Sequence, residues 1–214
     1  MSTVAVVDYG MGNLRSVAKA LEHVAPAGTR VRVTDAAGEI AAAERVVFPG
    51  QGAAGDCMRA IAARGLRQPL LEAAHTRPFF GMCMGLQVLL GRSEENGGTD
   101  CLGVFGGEVR AFAPGLSDAD GARLKIPHMG WNEVVQRPHP LWDGIANNTR
   151  FYFVHGYYAT PADTSLVVGT TDYGHDFCSA LAHGNLFACQ FHPEKSSTAG
   201  LTLLHNFLRW DGGA

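Results

Sequence analysis

Over the first hundred residues, short apolar runs alternate with stretches of helical periodicity, an order that few architectures accept. An apolar run at 3–8 meets the glycine-rich turn Tyr9-Gly10-Met11-Gly12-Asn13, after which Leu14, Val17, Ala18 and Leu21 recur at i, i+3, i+4 and i+7. That spacing marks one face of an amphipathic helix. Apolar runs at 31–33, 45–48 and 78–82, with a helical stretch at 53–63, continue the alternation. Strand-helix-strand units bury their strands on both sides, which predicts an α/β fold with a mostly parallel central sheet and helices on both faces. Beyond residue 101 the runs become short and β-rich, at 104–112, 130–135, 151–158, 166–171, 179–183 and 186–191, and His183-Gly184-Asn185 reads as a tight turn. They predict additional antiparallel β-hairpins in the second half. A last helix is expected from Ser197, capped by its hydroxyl, with Leu201, Leu204, Phe207 and Leu208 on the buried stripe. No linker-like segment divides the 214 residues, so 1–214 is expected to be a single domain.

Charge and cysteine usage narrow the function classes. The formal net charge of -3, with Lys and Arg scattered, offers no positive field to a phosphate backbone, and no nucleic acid partner is expected. No apolar stretch is long enough for a bilayer and the first β-like run starts within two residues of Met1, so a cytoplasmic protein without a membrane partner is expected. The five cysteines, Cys57, Cys83, Cys101, Cys178 and Cys189, lack C-x-x-C spacing. Each is expected to be free, in neither a disulfide framework nor a zinc knuckle.

Cys83 stands apart from the other four. It joins the apolar run 77–81 to Met84-Gly85-Leu86-Gln87-Val88-Leu89-Leu90, so a buried strand is expected to turn into a helix at the cysteine. Gly81 and Gly85, two residues to either side, are what a nucleophile elbow needs, because the turn residue is strained and strand and helix pack closely. A helix N-terminus favours the thiolate, and the Met84 N–H would stabilise an oxyanion. A buried structural cysteine, the commonest state of a free Cys, is the competing reading.

Two further motifs change the balance. The run 187–191 ends in His192-Pro193-Glu194, and on a strand residues i and i+2 share a side, so Glu194 could orient the imidazole as the third member of a Cys/His/acid triad. A metal reading lacks ligands at workable spacing: His128, His139 and His155 lie far apart in β-rich segments, and no metal or cofactor is expected. Pro49-Gly50-Gln51-Gly52 closes an apolar run before a helix, where glycines let the backbone aim an N–H into a site.

In this order, Pro49-Gly50-Gln51-Gly52, the Gly-x-Cys-x-Gly-x-Gln run from Gly81 to Gln87, and His192-Pro193-Glu194 resemble the triad-type glutamine amidotransferases. The opening Asp8-Tyr9-Gly10-Met11-Gly12-Asn13-Leu14 and the run Ile126-Pro127-His128-Met129-Gly130-Trp131-Asn132-Glu133 are similar to the glutaminase subunits of imidazole glycerol phosphate synthase, from histidine biosynthesis. Tyr152-Phe153-Val154-His155 and Gln190 to Ser196 also look like that group, so the resemblance covers essentially the whole chain.

The resemblance implies a class I glutamine amidotransferase-like fold with Cys83 as nucleophile, His192 as general acid and base, and Glu194 orienting it. It further implies oxyanion N–H groups from Gly52 and Met84, and a glutamine site with Gly50, Gln87 and Glu95. Gln51 departs from the aliphatic residue usual in many relatives. A (β/α)8-barrel cyclase is the implied partner in a heterodimer, taking channelled ammonia and touching Asn13, Trp131, Tyr152 and Lys195. Trp131 has a competing reading as a core aromatic. Other readings remain: a glutaminase of a pyridoxal phosphate or anthranilate pathway, a cysteine peptidase or γ-glutamyl hydrolase, and a regulatory subunit that binds glutamine without hydrolysing it. An intact triad argues against the last, because binding alone needs no nucleophile paired with a base.

Overall fold

The computed structural model describes residues 2–118 and 120–213. The first part runs β1 (Ser2–Val7), α1 (Leu14–Val24), β2 (Thr29–Thr34), α2 (Ala37–Ala42), β3 (Arg45–Gly50), α3 (Ala54–Ala63), α4 (Arg67–Thr76) and β4 (Phe79–Cys83), which turns directly into α5 (Met84–Gln87). Short strands follow: β5 (Arg92–Ser93), β6 (Thr99–Asp100), β7 (Gly107–Ala111), β8 (His128–Gln136), β9 (Thr149–His155), β10 (Tyr157–Pro161), β11 (Val167–Asp172), β12 (Asp176–His183) and β13 (Leu186–Cys189), before the helix α6 (Ser197–Arg209).

The order β2-β1-β3-β4-β13 is parallel throughout, because β13, late in the chain, returns to pair with β4. From β13 outward the sheet becomes antiparallel through β12, β10 and β7, and the β11, β8 and β9 strands branch from β12. Each face carries its own core. On one, Ile40, Ile61, Leu70 and Leu86 from the second to fifth helices pack against Val46, Phe48 and Phe79. On the other, Val17 and Leu21 of α1 and Leu203, Leu204 and Phe207 of α6 pack against Val4, Val6, Phe80 and Phe187. Alternate residues of one strand therefore feed opposite cores, which is why these strands read as continuous apolar runs.

Several local expectations are corrected. The helices α2 and α4 had no clear periodic signal: α2 is six residues long, and α4 buries only Leu70, Ala73 and Ala74. The run 151–158 is two strands parted at Gly156. Ser197 does not cap α6. Neither it nor Ser196 makes a side-chain cap hydrogen bond; the Ser196 hydroxyl donates to the His192 carbonyl at 2.6 Å and accepts from the Tyr152 N–H at 2.9 Å. The buried stripe of α6 is Gly200, Leu203, Leu204, Phe207 and Leu208, with Leu201 half-buried.

Parallel pairing sets the site. In the β3–β4 register Gly50 stands opposite Cys83, and in the β13–β4 register Cys189 stands opposite Met82. The motifs at 49–52, 81–87 and 192–194 therefore emerge together at the carboxyl edge of three neighbouring strands, where open α/β sheets carry their ligands. Gly85 lets the elbow lie directly on β3, since a methyl group there would be driven into the Phe48 carbonyl oxygen. Gly85→Ala should destabilise the fold by about 3 kcal/mol or more, because backbone rather than a flexible side chain must give way. A thermal melt checks it; a transition lowered by less than about 3 °C would mean that the elbow yields more easily than its packing indicates.

Candidate active site

Cys83 closes β4 with φ 54° and ψ -109°, a left-handed conformation that a β-carbon strains. Close packing of its neighbours fixes it: a β-carbon on Gly81 would lie 3.0 Å from Leu89 Cδ1 and 3.1 Å from Ala188 Cβ. The helix that follows is one turn, Met84–Gln87, shorter than the run to Leu90 suggested, so its dipole adds little at the sulfur. All five cysteines are free and buried. Burial pushes the thiols of Cys57 and Cys101 up to about 11 and that of Cys178 to about 12, and raises that of Cys189 as well, which keeps these four protonated and unreactive.

His192 is buried, and its Nδ1 lies 3.0 Å from Glu194 Oε1. The pairing was expected, but on different geometry. β13 ends at Cys189, and Pro193–Lys195 forms a 3₁₀ turn that folds the carboxylate back onto the ring. His192 Nε2 is buried without a well-formed hydrogen bond, on the side of Cys83. Burial pulls the imidazole down, yet the adjacent Cys83 sulfur and the hydrogen-bonded Glu194 carboxylate outweigh it and hold His192 well above its ordinary value. The arrangement favours an imidazolium whose second nitrogen lies on the side of the Cys83 sulfur.

A cavity of about 450 Å³ opens over this pair, lined among others by Gln51, Gly52, Cys83, Met84, Gln87, Glu95, His192 and Lys195. Gly50 is not on that lining. It borders a smaller cleft with Asn13, His192 and Glu194, and a β-carbon there would meet Tyr9 Oη and Met84 Cβ, so it serves close packing of β3 on the elbow. Gly52 has φ 93°, and the Gln51 carbonyl before it accepts from the Cys57 thiol at 3.7 Å. Gln87 is buried, donating from Nε2 to the Tyr157 carbonyl at 2.9 Å and to Gln190 Oε1 at 3.0 Å. Only its Oε1 is left for a ligand. Glu95 reaches the cavity with a carboxylate that also accepts from the Ala54 N–H at 2.6 Å, capping α3.

A family model described as glutamine amidotransferase class-I matches residues 5–210. The chain belongs to the class-I glutamine amidotransferase family. Among similar members, imidazole glycerol phosphate synthase subunit HisH of Aromatoleum aromaticum is 59% identical over 212 residues, covering 98% of this chain and 99% of the relative. The subunit so named in Thiobacillus denitrificans is 58% identical over 212 residues, with coverages of 98% and 92%. Of solved structures, PurLQS from Thermotoga maritima superposes with a TM-score of 0.70 at 19% identity, covering 97% of this chain and 98% of that one. A crystal structure of a glutamine amidotransferase gives 0.70 at 17% identity, covering 96% and 97%. At such identities these two speak for the fold alone.

The remaining family-implied residues lie on the surface. Asn13 is exposed and its side chain accepts from the Ser16 N–H at 3.4 Å, capping α1. Trp131 is 51% exposed, which rules out the core reading, and its ring meets that of Tyr152 edge-on at 6.1 Å. Lys195 Nζ sits 5.9 Å from the Tyr152 ring centre. Trp131, Tyr152 and Lys195 thus form one run of neighbouring side chains, of which Lys195 borders the Cys83 cavity. Gln190, whose Nε2 lies 3.8 Å from Cys83 Sγ, and the Tyr157 carbonyl had no role in the sequence reading. Gln190 stands two residues before His192, in the same quoted run, and that adjacency was its available signal. His128 and His155, far apart in sequence, are in contact, Nδ1 to Nε2 at 2.9 Å.

Among the described residues no three His, Cys, Asp or Glu side chains gather as a metal site, and no helix is long and apolar enough to cross a membrane. Burial lowers His128 to about 4 and His155 to about 3. Unfolded imidazole titrates near 6.5, so below that pH the unfolded chain binds more protons than the folded one, and stability falls as pH drops toward 4. These two groups are fully stabilising above about pH 6.5, and by pH 5 their loss should reach roughly 2–4 kcal/mol. Melts recorded at pH 7 and pH 5 check this; an unchanged transition temperature would contradict the neutral, buried pair.

Proposed function

We propose that this chain is the glutaminase subunit of imidazole glycerol phosphate synthase, hydrolysing L-glutamine to L-glutamate and handing ammonia to a (β/α)8-barrel cyclase in histidine biosynthesis. The observation that carries the chemistry is Cys83 held in a strained turn with the His192–Glu194 pair on one cavity. The pathway rests on the 59% identity to a HisH subunit.

In this reading the Cys83 thiolate attacks the glutamine side-chain carbonyl carbon. Backbone N–H groups of Gly52 and Met84 take the oxyanion, and the His192 imidazolium protonates the departing nitrogen, leaving a γ-glutamyl thioester and ammonia. Water, deprotonated by His192, then cleaves the thioester to glutamate and restores the thiol. Glu194 holds the ring through Nδ1 and compensates its charge. Gln87 Oε1 and the free oxygen of Glu95 orient the substrate. No metal or organic cofactor is required.

The exposed apolar side chains Ile126, Met129 and Trp131, with Tyr152 and Lys195, support the partner assignment. A subunit seated there would cover the cavity mouth and receive ammonia without its passing through water. The cyclase would also hold the phosphorylated precursor, in keeping with a sequence that has no Walker-type phosphate loop.

Cys83→Ala should abolish glutamine-dependent synthesis by the complex while added ammonium salts still support it; glutamate release at a wild-type rate would sink the nucleophile assignment. His192→Ala should cost more turnover than Glu194→Gln, which keeps the ring and weakens only its orientation. Because Trp131 is exposed, Trp131→Ala should weaken the complex at least tenfold, a typical loss for a central aromatic anchor, and move the melt by less than about 2 °C. Unchanged affinity by calorimetric titration would remove this patch from the interface.

A further inference from the structure

Two histidines outside the triad face each other across the β8–β9 ladder, where His128 and His155 are direct cross-strand partners. Their rings meet Nδ1 to Nε2 at 2.9 Å. His155 Nδ1 lies 2.8 Å from the Tyr157 carbonyl oxygen, and Asn132 Nδ2 lies 3.3 Å from His128 Nε2. A carbonyl can only accept, so His155 Nδ1 carries the proton. Burial keeps both imidazoles neutral, so His155 Nε2 holds a lone pair and accepts from the N–H at His128 Nδ1. His128 Nε2 is then an acceptor as well, and the Asn132 amide donates to it. One carbonyl thus fixes both tautomers, and every donor in the chain points inward.

The inner end runs on to the nucleophile. The Tyr157 carbonyl also accepts from Gln87 Nε2 at 2.9 Å; Gln87 Nε2 donates to Gln190 Oε1 at 3.0 Å, and Gln190 Nε2 lies 3.8 Å from Cys83 Sγ. At the outer end, Asn132 is next to exposed Trp131, donates to the Asp172 carbonyl at 2.8 Å and accepts from the Glu133 N–H at 2.8 Å. His128 is stacked between Tyr173 and Phe153, with ring centres 4.0 Å and 4.8 Å away. It borders an outer groove shared with Met129 and Trp131, while His155 borders the Cys83 cavity, so the pair forms the wall between the two. Apolar rings would fill that wall without desolvating four ring nitrogens, so packing alone does not account for two histidines there.

We propose that His128 and His155 are positioning residues that transmit the placement of the Trp131-bearing strand to the glutamine cavity, by setting the Tyr157 carbonyl and through it the Gln87 amide. The inference rests on the glutaminase reading and names the residues by which a partner seated on β8 would reach the site. Because His128, His155, the Tyr157 carbonyl and Gln87 are joined by hydrogen bonds of 2.8–2.9 Å, with Asn132 attached at 3.3 Å, a shift of β8 at Asn132 must be passed on or break a bond.

The test measures glutamate release by the isolated chain and by its complex with the cyclase subunit, for the wild type and three variants. His155→Phe keeps ring volume and removes both hydrogen bonds; Asn132→Ala cuts the outer end without touching the cavity; His155→Gln restores a donor and an acceptor. The factor by which the partner accelerates glutamate release should fall at least fivefold in His155→Phe and in Asn132→Ala, with partner Kd changed less than threefold, and His155→Gln should recover part of it. A purely structural defect would lower both rates in proportion and leave the factor unchanged, which would overturn the proposal. So would a wild type that the partner does not accelerate. Should His155→Phe fail to fold by thermal melt, Asn132→Ala decides alone. A wild-type complex that releases no glutamate at all would instead overturn the function proposed above.

Discussion

Everything at the site depends on one backbone residue being held where its side chain does not want it. Cys83 sits at φ 54°, a conformation costing on the order of 1–3 kcal/mol, and nothing local to the cysteine compensates for it. The compensation comes from the sheet. β4 is bonded on one side to β3 and on the other to β13, both in parallel register, and Gly85 seats the following turn against the Phe48 carbonyl. Flattening the turn would break contact with both neighbouring strands, so the strain persists. The same two neighbours bring up the other parts of the site, the glycine turn after β3 and His192 after β13. The force that strains the cysteine therefore also assembles its partners.

How much of this the sequence displays follows from the range of each interaction. Strands buried on both faces announce themselves as apolar runs, and β1, β3 and β4 were legible for that reason. Glycines at 81 and 85 betray the elbow, because a β-carbon would be tightly crowded at the first and driven into backbone at the second. The His192–Glu194 pairing was legible by spacing, although a 3₁₀ turn rather than a strand produces it, since two short separations satisfy the same contact. α4 was missed because its buried face is mostly alanine, which carries little hydrophobic contrast.

Long-range polar contacts were hidden. His128 and His155 are 27 positions apart and meet only through the register of β8 with β9, which a sequence fixes without displaying it. Gln87 was read as a substrate contact, yet two of its hydrogen bonds go to the protein. Trp131 was open between core and surface because an aromatic residue on an alternating strand suits either; on β8 it stands half exposed, opposite Tyr152 of β9.

Glu95 joins two parts of the chain that do not otherwise need each other. Its carboxylate caps α3, which follows the glycine turn, while its backbone belongs to the short segment after β5, 41 positions further on. One side chain thus ties the start of α3 to the segment after β5 and also lines the cavity over Cys83. Such a residue is constrained twice over during divergence: a change at position 95 that reshaped the cavity would at once loosen the start of α3, and that cap would have to be repaired elsewhere.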